Sequence, residues 1–230
     1  MGEVLIDPTL TDREFVFEDR TDAGRKLALL LKELNLENPV VLAIPSGGIP
    51  VGIEVAKALG APLVPLVVRK AQLPWDTEAG FGAVNQFGDV VLNEEAVESL
   101  GLTAEEVQTQ LTKALESVRR RLELFQTQSL PSLEGKTAII VDDGLASGYT
   151  LLAALEAVKR LKPSKVVVAV PTCSAGSVAR LAPLVDLLVC ANYRRNLPFA
   201  VAAAYRRWRD LDEEEVLRML QSYPLTYRSG

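Results

Sequence analysis

The sequence predicts an α/β fold, a parallel sheet with helices on both faces. Three observations predict it. The runs PVVLAI (39–44), KTAIIV (136–141) and KVVVAV (165–170) are continuously apolar rather than alternating, as in strands covered on both sides. Stretches of helical period alternate with these runs along the chain. The composition of 230 residues, 48% hydrophobic and 24% charged, supplies a core large enough for such a sheet.

Residues 1–20 are polar and irregular and read as an N-terminal arm. From Thr21 to Leu34 the spacing of Leu27, Leu30, Leu31 and Leu34 predicts an amphipathic helix. After the strand at 39–44, IPVGIEVAKALG (49–60) reads as a helix with Pro50 near its start and Gly60 at its end. PLVPLVV (62–68) is a second strand, and Pro65 marks it as an edge or a bulge. Residues 71–88 carry Gly80, Gly82 and Gly88 and no helical period. They are expected to form a long functional loop, with a hairpin that includes DVVLN (89–93). The helix at 103–126 opens on a capping box, Thr103 with Glu106, and its stripe from Val107 to Phe125 suits core or dimer packing; a homodimer is the expected assembly. Arg119, Arg120 and Arg121 on this helix read as a solvated face. Strand 136–141, helix 149–162, strand 165–170, short helix 174–183 and strand 186–191 complete the core, and 192–230 is mixed, with a helix at 212–221.

The net charge of −5 gives no sign of a nucleic-acid binder. Histidine is absent, which removes Ser-His and Cys-His nucleophiles and any His-ligated metal. Cys173 and Cys190 lack metal-site spacing and are expected as two buried thiols in a reducing compartment. No signal pattern and no membrane-length apolar run occurs, so a cytoplasmic protein without membrane contact is expected.

The informative stretch is IIVDDGLASGYT (139–150). A buried strand ends in Asp142 and Asp143, and a loop of small residues then leads into a helix. Ligands of open α/β sheets sit beyond the carboxyl ends of the strands. Loop amides and a helix N-terminus favour an anion, and small residues let it approach. The two acids suit sugar hydroxyls or a cation. A sugar phosphate matches both halves. Receiver domains also place acids at a strand end, but are about half this length. GGIPVG lacks both the dinucleotide spacing and the lysine of a P-loop.

These residues resemble the 5-phosphoribosyl 1-pyrophosphate (PRPP) motif of type I phosphoribosyltransferases, most closely the branch named only as predicted phosphoribosyltransferases. PSGGIP (45–50) stands where that family has its pyrophosphate loop, and VRK (68–70) precedes the long loop, as in the family. The resemblance spans roughly residues 20–210. It implies a Rossmann-like core over 21–191, a flexible loop at 71–88, and a small hood subdomain at 192–230. It also implies Mg²⁺ as cofactor, PRPP and a nitrogenous base as substrates, and pyrophosphate as product. Asp142 and Asp143 would hold the ribose hydroxyls and the Mg²⁺, directly or through water. Gly144, Leu145, Ala146, Ser147, Gly148, Tyr149 and Thr150 would hold the 5′-phosphate. Ser46, Gly47 and Gly48 would bind pyrophosphate, commonly through a non-proline cis peptide, with Arg69 and Lys70 neutralising it.

Three positions depart from relatives. Ser46 stands where close relatives often carry Arg, which leaves more work to Arg69 and Lys70 and keeps open a non-catalytic, PRPP-sensing module. Ala146 replaces the Asp of 6-oxopurine enzymes, and Asp143 the proline of uracil enzymes. An adenine-like or orotate-like motif remains. Phe199 and Tyr205 fall where the family builds its hood, and core packing is an equal reading for each. Trp75, Phe81 and Phe87 are open between hairpin packing and base stacking.

Overall fold

The computed structural model describes residues 2–127 and 129–223. They form two compact units. The described residues of the first are 2–65, 129–148 and 161–223, and it is built on a six-stranded sheet. Its strands are β1 (Glu3–Ile6), β2 (Pro39–Ala43), β3 (Leu63–Pro65), β7 (Thr137–Val141), β8 (Lys165–Ser174) and β9 (Leu187–Arg194). The order is β1-β9-β8-β7-β2-β3, and every pair is parallel. The continuous apolar runs are the reason. All five residues of β7 and four of the five of β2 are buried.

Helices flank this sheet. α1 (Arg20–Lys32) packs on β8 and β9, α2 (Gly48–Leu59) on β2, β3 and β7, and α6 (Ala175–Leu181) on β8 and β9. α1 starts where Asp19 accepts the Asp22 N–H at 2.9 Å, and α2 ends at Gly60 with φ +60°, the left-handed C-cap that glycine adopts at low cost. The edge expected from Pro65 is observed, since β3 closes one side of the sheet.

The expected irregular arm is instead tied down twice. β1 adds to the other edge, pairing with β9, and Phe17 bridges to Tyr205. There the Phe17 N–H donates to the Ala204 carbonyl at 3.0 Å and the Arg206 N–H to the Phe17 carbonyl at 2.8 Å. The arm thus shares the cap expected of 192–230 alone. The C-terminal helix α7 (Glu213–Ser222) packs on α2. Cys173 and Cys190 are not free thiols. Neighbouring strands β8 and β9 bring their sulfurs together in a disulfide, a contact that strand pairing creates and sequence spacing does not announce.

The described residues of the second unit are 66–127 and 149–160. It corrects the loop expected at 71–88. β4 (Val68–Leu73), β5 (Asp76–Asn85) and β6 (Val90–Leu92) form an antiparallel sheet. In the sequence the glycines suggest irregularity. In the fold they serve close packing, because a Cβ on Gly82 would run into the backbone of Val91 on β6. α3 (Glu94–Ser99), unforeseen in the sequence, α4 (Ala104–Leu124) and α5 (Tyr149–Lys159) complete the unit. The Thr103–Glu106 capping box of α4 is formed in both directions. Phe81 is fully buried with Ala71 and Leu73, against Val107 and Leu111 of α4, so it is a packing residue. Arg121 is buried, unlike the exposed Arg119 and Arg120 of the expected solvated face.

Candidate functional site

β2 and β7 are adjacent, with Ala43 in register with Val141. From β2 the chain runs to β3 on one side, while β7 and β8 lie on the other. This reversal is the switch point at which open α/β sheets bind ligands. PSGG leaves β2 here, and Asp142-Asp143 leaves β7.

The two segments are packed into one another. The Pro45–Ser46 peptide is cis, as the resemblance implied for this turn. A Cβ on Gly47 would overlap the Asp143 carboxylate, and one on Gly48 would stand 2.8 Å from the Val141 carbonyl oxygen and 3.1 Å from the Asp142 Cα. Only glycines allow the turn to lie on the acid pair. Ser46, Gly47, Gly48, Asp142 and Asp143 are therefore brought together.

The acids are not equivalent. The Asp143 N–H donates to Asp142 Oδ1 at 2.8 Å. Burial pushes the Asp142 carboxyl well above the usual carboxylate range, and the neighbouring Asp143 charge adds to the shift. Asp143 instead meets a cation, with Arg20 Nε 2.9 Å from its Oδ2. Arg20 opens α1, and its side chain is 11% exposed. It also donates to the Arg209 carbonyl at 2.8 Å and lies 4.0 Å from the centre of the Trp208 ring. Tyr205, fully enclosed, donates its hydroxyl to the Asp143 carbonyl at 2.5 Å. Burial, then the Asp143 charge, raises its pKa well above the ordinary phenol value, so it remains a donor.

The loop after the acids is held from outside by its carbonyls. Ser177 Oγ donates to Leu145 at 3.1 Å, Ser174 Oγ to Ala146 at 3.0 Å, and Arg180 to Ser147. Leu145 is buried and bridges to Cys173. Among the described residues no hydrogen bond joins the N–H groups of Ala146, Ser147 or Gly148 to a protein acceptor. Gly148, at φ +89°, turns the chain into α5, where Tyr149 and Thr150 occupy the first turn. A loop with engaged carbonyls and available amides can accept an anion.

Arg69 and Lys70 lie in the second unit, on β4, rather than before a loop. Lys70 donates to the Glu78 carbonyl across the hairpin. Phe87 lies beneath the Arg160 guanidinium at 5.3 Å, while Trp75 is 60% exposed. Phe199 is half-buried. Sequence reading missed Arg20, Ser174, Ser177, Arg180 and Trp208, since each reaches the site only through tertiary packing.

A phosphoribosyl transferase domain model matches residues 18–180. The chain belongs to the phosphoribosyl transferase family. A protein of Mycobacterium tuberculosis named "Putative phosphoribosyl transferase", found in strains CDC 1551 and H37Rv, is 42% identical over 207 residues. Those residues are 89% of this chain but 46% of the relative, so the chain spans about half the length of the curated relatives it matches. The crystal structure of TT1426 from Thermus thermophilus is similar at a TM-score of 0.71 and 34% identity, covering 90% of this chain and 98% of that one. This phosphoribosyl transferase domain has no helix, among the described residues, long and apolar enough to cross a membrane. Nor is there among them any cluster of three or more side chains able to hold a metal ion.

Proposed function

We propose that this phosphoribosyl transferase domain binds PRPP with Mg²⁺ and transfers the phosphoribosyl group to a nitrogenous base, releasing pyrophosphate. The observation that carries the reading is the packing of the Gly47–Gly48 turn onto the Asp142–Asp143 pair at the carboxyl ends of adjacent strands. It puts a turn suited to a diphosphate beside acids suited to a diol, with an anion cradle next in sequence.

Asp142 and Asp143 take the ribose hydroxyls. The amides of 146–148, with the Ser147 hydroxyl, take the 5′-phosphate. The turn at 46–48 takes the diphosphate. Two carboxylates fit Mg²⁺ only as part of its shell, the remainder coming from the ligand's oxygens and water. When bound, the cation supplies charge neutralisation on the diphosphate. The base nitrogen donates its lone pair to the ribose C1 as the C1–O bond breaks, and that electron pair leaves with pyrophosphate. The nitrogen then gives up its proton. A protein nucleophile is unnecessary, which suits a chain without histidine. The protein's contribution is alignment and electrostatics.

Calorimetry with Mg²⁺ and PRPP tests the site. The double variant Asp142→Asn, Asp143→Asn is expected to lose most of the affinity, and wild-type affinity in that variant would refute the assignment. Pyrophosphate release with PRPP and a panel of bases tests turnover. Ser46, which brings no charge to the turn proposed for the diphosphate, favours a PRPP-sensing module as the second reading. Binding without release for any base would select it.

A further inference from the structure

We propose that Arg20 is the cation of the diphosphate site, and that it exchanges Asp143 for the ligand's diphosphate on binding. The inference rests on the reading of the site given above. Its starting point is a deficit, because the turn at 46–48 carries no charge of its own. Amides alone bind a diphosphate weakly compared with a guanidinium, whose planar fork meets phosphate oxygens in pairs.

Arg20 stands where such a charge is needed. Its Nε lies 3.1 Å from the position a Cβ of Gly47 would occupy, so the guanidinium borders the turn itself. In sequence it is far from that turn, on the first residue of α1; the fold supplies the cation that position 46 lacks. The side chain is almost enclosed, and two contacts besides Asp143 fix its plane: the Arg209 carbonyl at 2.8 Å and the Trp208 face at 4.0 Å. Neither contact involves the Asp143 carboxylate. Arg20 can therefore release Asp143 and stay where it is. Asp143, relieved of its partner, is then free to meet the ribose hydroxyls. The ion pair thus shields both charges until a ligand carrying a diphosphate and a diol replaces each partner at once.

Calorimetry with three probes separates this inference from the reading beneath it. With Mg²⁺ present, Arg20→Gln is expected to weaken inorganic pyrophosphate and PRPP by about tenfold, the worth of a charge-assisted hydrogen bond, and not to weaken ribose 5-phosphate, whose diol meets an Asp143 already released. Unchanged affinity for all three probes in the folded variant would overturn the role of Arg20 alone. A wild-type protein that binds neither PRPP nor pyrophosphate would overturn the proposed function, and this inference with it. Should Arg20→Gln fail to fold, Asp143→Asn gives an independent answer. It frees Arg20 while keeping an amide acceptor in place, and is expected to bind pyrophosphate without Mg²⁺ more tightly than wild type. Equal or weaker binding there would overturn the exchange.

Discussion

Gly47 shows how one missing atom organises the site. Its hydrogen faces the Asp143 carboxylate, and a methyl group there would displace that acid. Gly47→Ala is expected to lower Mg²⁺-PRPP affinity by about tenfold or more with an unchanged circular dichroism spectrum, measured by titration. Asp142 sets a pH dependence. Its carboxyl is raised by burial, then by Asp143, while Arg20 opposes the shift. A raised acid holds its proton longer in the folded state than in the unfolded one. The penalty for ionising it is absent below the unfolded pKa of about 4 and fully present above the folded value. Ligand-free stability should therefore fall as pH rises through this window, and Asp142→Asn should flatten the slope in urea titrations. Binding that needs the ionised pair should release a proton, seen as a buffer-dependent heat in wild type and absent in the variant. Asp142 and Asp143 were legible in the sequence because their chemistry follows directly on a strand. Arg20 was not, because its partner lies 123 positions away.

At the scale of elements, the turn between β5 and β6 is organised by Asn85. Its side-chain oxygen accepts the N–H groups of Phe87 at 3.0 Å and Asp89 at 3.1 Å, and its amide donates to Asp89 Oδ2 and to the Ala153 carbonyl of α5. Asn85→Ala leaves these groups, the buried Ala153 carbonyl among them, without their partner and is expected to cost about 2 kcal/mol, read from the urea midpoint. The hairpin also alters an expectation. A loop at 71–88 would expose Arg69 and Lys70 to trypsin, whereas paired strands protect them. Mass spectrometry of a limited digest should find both bonds uncut at early times in the ligand-free protein. The parallel strands were readable because each is a short apolar run between turn signals. The hairpin expected to include DVVLN is the β5–β6 pair, but the pairing of β4 with β5 was hidden because AQLPWDTEAGFG breaks the two-residue alternation with glycines and a bulge between Ala71 and Leu73. β1 was missed because its apolar run, Val4 to Ile6, is only three residues long and lies at the sheet edge.

At the scale of the whole molecule, the family was legible from twelve residues, and the share that residues 15–20 take in the cap over the acids was not. That cap draws on both ends of the described chain. Residues 15–18 hydrogen-bond to 203–207, and Arg20 reaches the carbonyl of Arg209, 189 positions on. Contacts of such separation form late, since the loop between them must be closed first. During synthesis, β2, β7 and the acid pair leave the ribosome well before Tyr205 does. A nascent chain stopped at Ala203 would expose the ring of Phe17 and leave the Asp143 carbonyl without its phenol donor. Such arrested chains are expected to be cleaved near Phe17 by chymotrypsin, and chains extended to Tyr223 to resist it. The order in which the chain is made therefore keeps the cap over the acid pair unfinished until Tyr205 and Arg209 have followed it.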